Sequence, residues 1–449
     1  MQSWCSFVPG ASGNEIAPST AGRSMPLSAM CPPYRSQVGA LCDNAEVTTP
    51  TSRRRRLPEV DWTVDVLGVL TIVVYGSWYY GFGVLIDDIA DGLDMSATQL
   101  GISFGIAQVL LGVLSILTGR LLDRRGPSLV LGVVGPLGAI LVGFAGRAAE
   151  PWQFIVCFAL GGGISAAAGF YGMTQAIIVR LDHEAAMRRI IRLTIWGAFA
   201  SPVAIPITEA LRRHLGWRLA IELPAGAALV AFLVASRVVR SATPRDAAPT
   251  RTRWSSVMLT AVRDGAIRWH ALGVMLTYMA MSTLLVFQLS IMRWAGLSAG
   301  VAAGFAGARG VLQLLGRLPL RRALDRVDAW NLLFAARGLV AIACLVILAS
   351  GQVGFAGLYV LLAGAGIGAV SALDGIVGRD VLHASDFGAL TGIVTLLGAI
   401  GGGVAPVVAG RVTDVTGSPA IAAMVAAVAG VGAMFALVAA RRHRLARTT

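Results

Sequence analysis

Arg309 stands in the middle of an apolar stretch, within Gly307-Ala308-Arg309-Gly310. A guanidinium keeps its proton in proteins, and its planar fork of donors matches a carboxylate. At membrane depth such a charge costs about 2.5–3.5 kcal/mol on insertion scales, so an arginine there marks a functional group by default. The chemistry it suits is non-covalent capture of an anion. The competing role is an ion pair with an acid on a neighbouring helix.

Softer polar groups punctuate other apolar stretches. Tyr79 and Tyr80 follow Tyr75 and Trp78, Tyr171 and Gln175 flank Thr174, and Gln288, Gln313 and Tyr278 stand alone among aliphatics. Each is a candidate for lining a substrate cavity. Tyrosines near helix ends also form interfacial belts, and glutamines also bond helix to helix. Asp374, with Arg379 and Asp380 after it, reads as part of an ion-pair network or as a candidate carboxylate for proton coupling. Asp87 and Asp88 fall at the outer end of the first apolar stretch and read as solvated.

Catalysis finds no support. There is no His/Asp/Glu metal spacing, no nucleophile–base set and no phosphate-cradling loop. The five histidines fall at or near expected loops, and Cys5, Cys31, Cys42, Cys157 and Cys344 lack paired spacing. Neither an enzyme nor a metal or organic cofactor is expected.

The elements that must hold these groups are membrane helices. Of 449 residues, 56% are hydrophobic and 14% charged, against roughly a quarter charged in soluble domains. A single aqueous core stops growing near about 250–300 residues, whereas a bilayer accepts apolar runs of about 20 residues one after another. The net charge of +13 comes from arginine alone, with no lysine in the chain. Those arginines cluster between apolar runs, as membrane topology requires, so no nucleic-acid partner is expected.

Residues 1–57 are rich in Ser, Pro, Gly and Ala without apolar periodicity and read as a disordered cytoplasmic tail. Twelve helices are expected at 64–86, 97–119, 128–147, 152–179, 190–211, 218–238, 268–292, 298–318, 330–350, 353–378, 387–410 and 419–440. They divide into a six-helix bundle over 58–240, a cytoplasmic linker over 241–266 and a second six-helix bundle over 267–449. Arg53–Arg56, Arg120, Arg124, Arg125, Arg180 and Arg441–Arg444 share one face, leaving few arginines on the other, so both termini are expected in the cytoplasm of a multi-pass inner-membrane protein. Pro202, Pro206, Gly216, Trp217 and Arg218 are echoed by Pro406, Gly417 and Ser418. That echo, about 200 residues on, suggests a parallel repeat with substrate at its interface.

The loop after the second helix, Gly119-Arg120-Leu121-Leu122-Asp123-Arg124-Arg125-Gly126, resembles the signature of the major facilitator superfamily. Its glycines suit a tight turn, and Asp123 suits charge-assisted bonds to arginines and helix amides. The counterpart Gly316-Arg317-Leu318-Pro319-Leu320-Arg321-Arg322 lacks the acid. Within that superfamily the chain is similar to the monocarboxylate and oxalate–formate type, on Phe82-Gly83-Val84, Gly216-Trp217-Arg218, Phe387-Gly388 and Asp414 with Thr416-Gly417-Ser418. The resemblance implies an anion-binding arginine on helix 8, where Arg309 falls. Phe305 stands where monocarboxylate carriers have an acid, and Tyr80 where some have a coupling lysine. Stretch 387–410 has no internal cation, which disfavours a substrate clasped by two.

The expected function is secondary transport of a small organic anion by a monomer rocking its two halves, with a coupling proton as candidate partner. Two other readings stay open: an exporter of hydrophobic or drug-like compounds, on the partial pattern Gly197-Ala198-Phe199-Ala200-Ser201-Pro202, and a transport-inactive membrane sensor or scaffold.

Overall fold

The computed structural model describes residues 62–181, 186–239, 254–382 and 387–448. The tail expected over 1–57 and most of the expected linker lie outside the described residues. Helices α1 Trp62–Leu93, α2 Ala97–Arg125, α3 Pro127–Ala145 and α4 Pro151–Leu181 open the chain. α5 covers 186–215 and α6 covers 217–239. The second half holds α7 Gly265–Trp294, α8 Ala299–Leu315, α9 Ala329–Val346, α10 Val353–Val381, α11 Phe387–Thr416 and α12 Ala420–Thr448.

Their ends are written in local chemistry. Ser96 and Gln99 form a capping box that starts α2, and Asp264 accepts from the amides of Ala266 and Ile267 to start α7. Pro151 occupies the first turn of α4, where its missing N–H costs nothing. Gly216, at φ 81°, breaks the 48-residue apolar stretch Arg192–Val239 into two antiparallel crossings. In oil each backbone amide must bond within its own helix, which is why these apolar stretches are helical throughout.

Two corrections to the expected boundaries bear on function. α2 runs on through Arg120, Arg124 and Arg125, so Gly119 lies inside a helix and Gly126, at φ 76°, makes the turn. α4 is interrupted at Phe170, whose extended backbone (φ −77°, ψ 169°) separates Pro151–Gly169 from Tyr171–Leu181. In addition, the expected linker region contains the helix Trp254–Arg263.

The first six helices pack mainly on one another, as do the last six, and α1, α2 and α5 meet α7, α11 and α8 across the seam. Twelve crossings return the chain to the side of Trp62, the termini face. The polar bonds across the seam gather on the opposite face. Asp87 of α1 pairs with Arg293 and Ser290 of α7, and Asp414 of α11 accepts from Ala97 and Thr98 of α2. On the termini face, four ion pairs are made inside a bundle: Asp65 with Arg192, Asp328 with Arg441, Asp380 with Arg444, and Asp264 with Arg447. The bonds that link the bundles through Asp87 and Asp414 thus lie on the face opposite Trp62.

These bonds correct the expectation that Asp87 and Asp88 are solvated. Asp88 bonds Arg212, which with Arg213 also holds the buried Glu209. Acids near the bundle seam find arginines because neither charge can be left without a partner beside lipid.

Candidate functional site

The centre of the first bundle is an aromatic cluster that two backbone irregularities create. Tyr75–Tyr80 of α1 form a π-helical turn, a geometry with i→i+5 bonding that brings positions i, i+4 and i+5 together. Tyr75, Tyr79 and Tyr80 thus share a face, with ring centroids 5.2–5.8 Å apart. The extended residue Phe170 slides its ring under Tyr75, 3.6 Å between centroids and 7° from parallel, and also stacks on Trp78. Tyr171 follows, its hydroxyl donating to the carbonyl of Thr194 on α5. Trp78 itself is fully buried against Phe104 and Phe158.

Tyr75, Tyr79, Tyr80 and Tyr171 are only half-buried although they sit mid-helix, and Tyr278 of α7 is exposed. Their place at mid-helix argues against an interfacial belt, and their partial exposure makes them candidates for lining the space between the bundles.

Arg309 enters this space from α8. It is 3% exposed, and its Nε and Nη2 are buried without a hydrogen-bond acceptor in the protein. Its charge acts on the hydroxyls of Tyr79, Tyr80 and Tyr359. Close packing sets its depth: a side chain at Gly310 would collide with Ser201 and Pro202 of α5, and one at Gly364 of α10 would come within 2.9 Å of the Arg309 carbonyl. A buried guanidinium that keeps unused donors is costly. No acid among the described residues neutralises Arg309.

The remaining candidates divide. Gln288 is buried, and its amide oxygen accepts from Tyr359 of α10 at 3.0 Å. Gln175 and Gln313 are half-buried, on α4 and α8. Asp374 of α10 pairs with Arg337 of α9 at 2.9 Å, inside the second bundle. His270, expected near a loop, is 2% exposed beside that pair, because α7 begins five residues earlier at Gly265. Arg120, Arg124 and Arg125 are exposed at the end of α2. The role expected of the Asp123 carboxylate lies outside the described side chains.

Sequence reasoning passed over four groups at or near this space. Tyr359 is buried beside Arg309's charge, Ser201 of α5 lies next to Tyr80, and Gln108 of α2 is buried at the seam against Gly402 of α11. Arg317, in the turn just beyond α8, belongs to the degraded counterpart loop. Its Nε is buried without an acceptor, and its charge acts on Tyr80 and Tyr171. Both arginines interrupt apolar sequence, which was the available signal.

A profile of the Major Facilitator Superfamily matches residues 67–406. The chain belongs to that superfamily. Solved structures agree on the fold. A mutant of the nucleoside transporter NupG superposes with a TM-score of 0.73 at 13% identity, over 84% of this chain and 99% of that one. A bacterial homolog of the human lysosomal transporter Spinster, inward-facing and occupied, gives 0.64 at 15% identity, over 88% and 98%. At such identities the likeness concerns the fold alone. The superfamily fold supports membrane transport of a small molecule, and the helices embed in a bilayer. The candidate site of this superfamily member brings aromatic groups of the first bundle and the Arg309 cation of the second to the seam.

Proposed function

We propose that the protein is a secondary transporter of a small organic anion, working by alternating access, with Arg309 as the group that binds the anion. The reading rests on one observation above the others: a buried guanidinium with Nε and Nη2 unpartnered, facing phenols that border the space between bundles. A carboxylate would satisfy both donors bidentately. Tyr79 and Tyr80 offer hydroxyls to its second face, and the aromatic floor under Tyr75 suits a small apolar body. The termini face is the cytoplasmic one in this reading, and the chain works as a monomer in the inner membrane.

Counterflow in proteoliposomes with labelled organic acids is the test. R309A should abolish exchange, and R309K should retain a fraction, because a lysine keeps charge but not the fork. Exchange by R309A at the wild-type rate would overturn the assignment.

A further inference from the structure

Val431, Phe435, Val438 and Arg442 recur along α12 at spacings of three and four residues, so they share one face of that helix. This face lines a groove of about 660 Å³, completed by Trp269 of α7 and Phe334 of α9. α9 and α12 pack on α7, α10 and α11 of their own bundle, whereas the seam is made by α7, α8 and α11. Val431, Phe435, Val438 and Phe334 are exposed. The groove therefore opens toward the bilayer and away from the seam. α12 is helical throughout Ala420–Thr448. At about 1.5 Å per residue, the eleven steps from Val431 to Arg442 cover about 16 Å. That is the depth of one leaflet, half of a hydrocarbon core about 30 Å thick.

The two ends of the groove differ in chemistry. At the termini face α12 carries Arg441, Arg442, Arg444 and Arg447. Arg441 pairs with Asp328, Arg444 with Asp380, and Arg447 with Asp264. Arg442 instead borders the groove and is exposed, with His443 beside it. The His443 ring lies against the start of α7, where a side chain at Gly265 would come within 2.7 Å of its Nδ1. Arg268, one residue before Trp269, is exposed on the same helix end. The groove is thus apolar to the depth of a leaflet and cationic at its mouth. A free anion would use the mouth alone, and a neutral amphiphile would leave Arg442 unmatched. An amphiphile with an anionic head uses both parts, as basic pockets between membrane helices do.

We propose that this groove binds one anionic phospholipid from the leaflet at the termini face. Arg442 and His443 hold its phosphate, and an acyl chain runs along Val438 and Phe435 to Val431. Trp269 stands at headgroup level, where an amphipathic ring is favoured. The lipid touches α7, α9 and α12 at once, so its binding stabilises the second bundle against unfolding. The proposal rests on the embedding of the helices in a bilayer and is independent of Arg309.

The experiment titrates the purified full chain in detergent and follows thermal unfolding. The probes are phosphatidylglycerol, phosphatidylcholine with the same acyl chains, glycerol 3-phosphate and inorganic phosphate. Wild type should bind phosphatidylglycerol about fivefold more tightly than phosphatidylcholine, the factor that about 1 kcal/mol per basic residue supplies. The two soluble phosphates should not stabilise it. R442Q/H443Q should bring the two lipids to parity. R442K, which keeps the charge, should retain most of the preference and guards against a folding defect. R326Q removes an exposed arginine of the same face outside the groove and should leave the preference unchanged. Four results would each overturn the proposal: equal binding of the two lipids by wild type, an unchanged preference in folded R442Q/H443Q, the same loss in R326Q, or stabilisation by inorganic phosphate equal to that by phosphatidylglycerol.

Discussion

The carboxylate of Asp414, three residues before Gly417, closes on Thr98 at the start of the other bundle's α2. It accepts from the amides of Ala97 (2.8 Å) and Thr98 (2.9 Å) and from the Thr98 hydroxyl. Helix N-termini carry unpaired amides and partial positive charge, and here another bundle supplies the anion. Ser96 and Gln99 already serve the same terminus as a capping box. The bond to Asp414 is therefore additional, and it crosses 316 residues of chain. Under the proposed alternating access, such a bond is a latch that holds this face closed.

D414N should loosen that latch. An exposed charge at a helix N-terminus contributes about 1 kcal/mol, or roughly a fivefold shift in population. Spin labels placed at the outer ends of α2 and α11 should report a larger fraction of long distances in the variant. A distribution identical to wild type would remove Asp414 from the latch.

Below the latch the seam depends on bare backbone. Gly105 of α2 lies against the carbonyl of Gly403, and Gly101 against that of Pro406, so a Cβ at either would strike backbone that cannot yield. G105A should penalise closure of this face by about 1–3 kcal/mol, the usual cost of overpacking. Folding should survive, because the other conformation parts these helices. A cysteine introduced at the seam by Q108C, beside Gly402, should become reactive toward a hydrophilic maleimide when G105A is added. Unchanged protection would show that the seam tolerates the methyl.

The twelve crossings were legible because apolar length and arginine clustering are local properties, readable segment by segment. Arg309 was legible for the same reason, as a lone charge at helix centre. Arg337 carried an equal signal in 330–350 but was not singled out. Its meaning lies in Asp374, 37 residues away on another helix, and pattern along one segment cannot reveal such a partner. The π-turn at Tyr75–Tyr80 and the break at Phe170 were illegible too. Each is settled by the stacking of Tyr75 on Phe170, a contact made only once α1 and α4 lie together. Gly119 misled because a glycine inside a helix and one in a turn look alike until the chain direction beyond them is known.

Y359F tests whether the second bundle positions the site. Tyr359 is fully buried, bonds Gln288, and lies within reach of Arg309's charge. Removing the hydroxyl leaves the Gln288 amide oxygen without this donor, at a cost of about 1–3 kcal/mol for a buried polar group left unmade. Thermal stability should fall, and anion affinity should fall with it if Gln288 and Tyr359 orient Arg309. Lower stability with unchanged affinity would confine the pair to structure.

The pairing of Arg337 with Asp374 decides between two roles for that carboxylate. Arg337 is 1% exposed, donating Nη2 to Asp374 at 2.9 Å and Nη1 to the carbonyl of Ala433 at 2.8 Å. His270 lies against both charges, and Gly273 leaves room for the guanidinium. The bonds of Arg337 tie α9 to α10 and α12 within one bundle, which favours the structural role. R337M leaves Asp374 without its partner inside the bundle and should cost about 3–5 kcal/mol, as breaking a buried pair does. The double change R337M/D374L should recover much of that loss, because an apolar pair removes both desolvation costs. Unfolding in detergent measures both. The coupling role makes a different demand: D374N, which keeps an acceptor for Arg337, would melt near wild type yet exchange substrate without proton-driven accumulation. That separation of exchange from accumulation would refute the structural role, and coincident loss of stability and exchange in R337M, with D374N still accumulating substrate, would establish it.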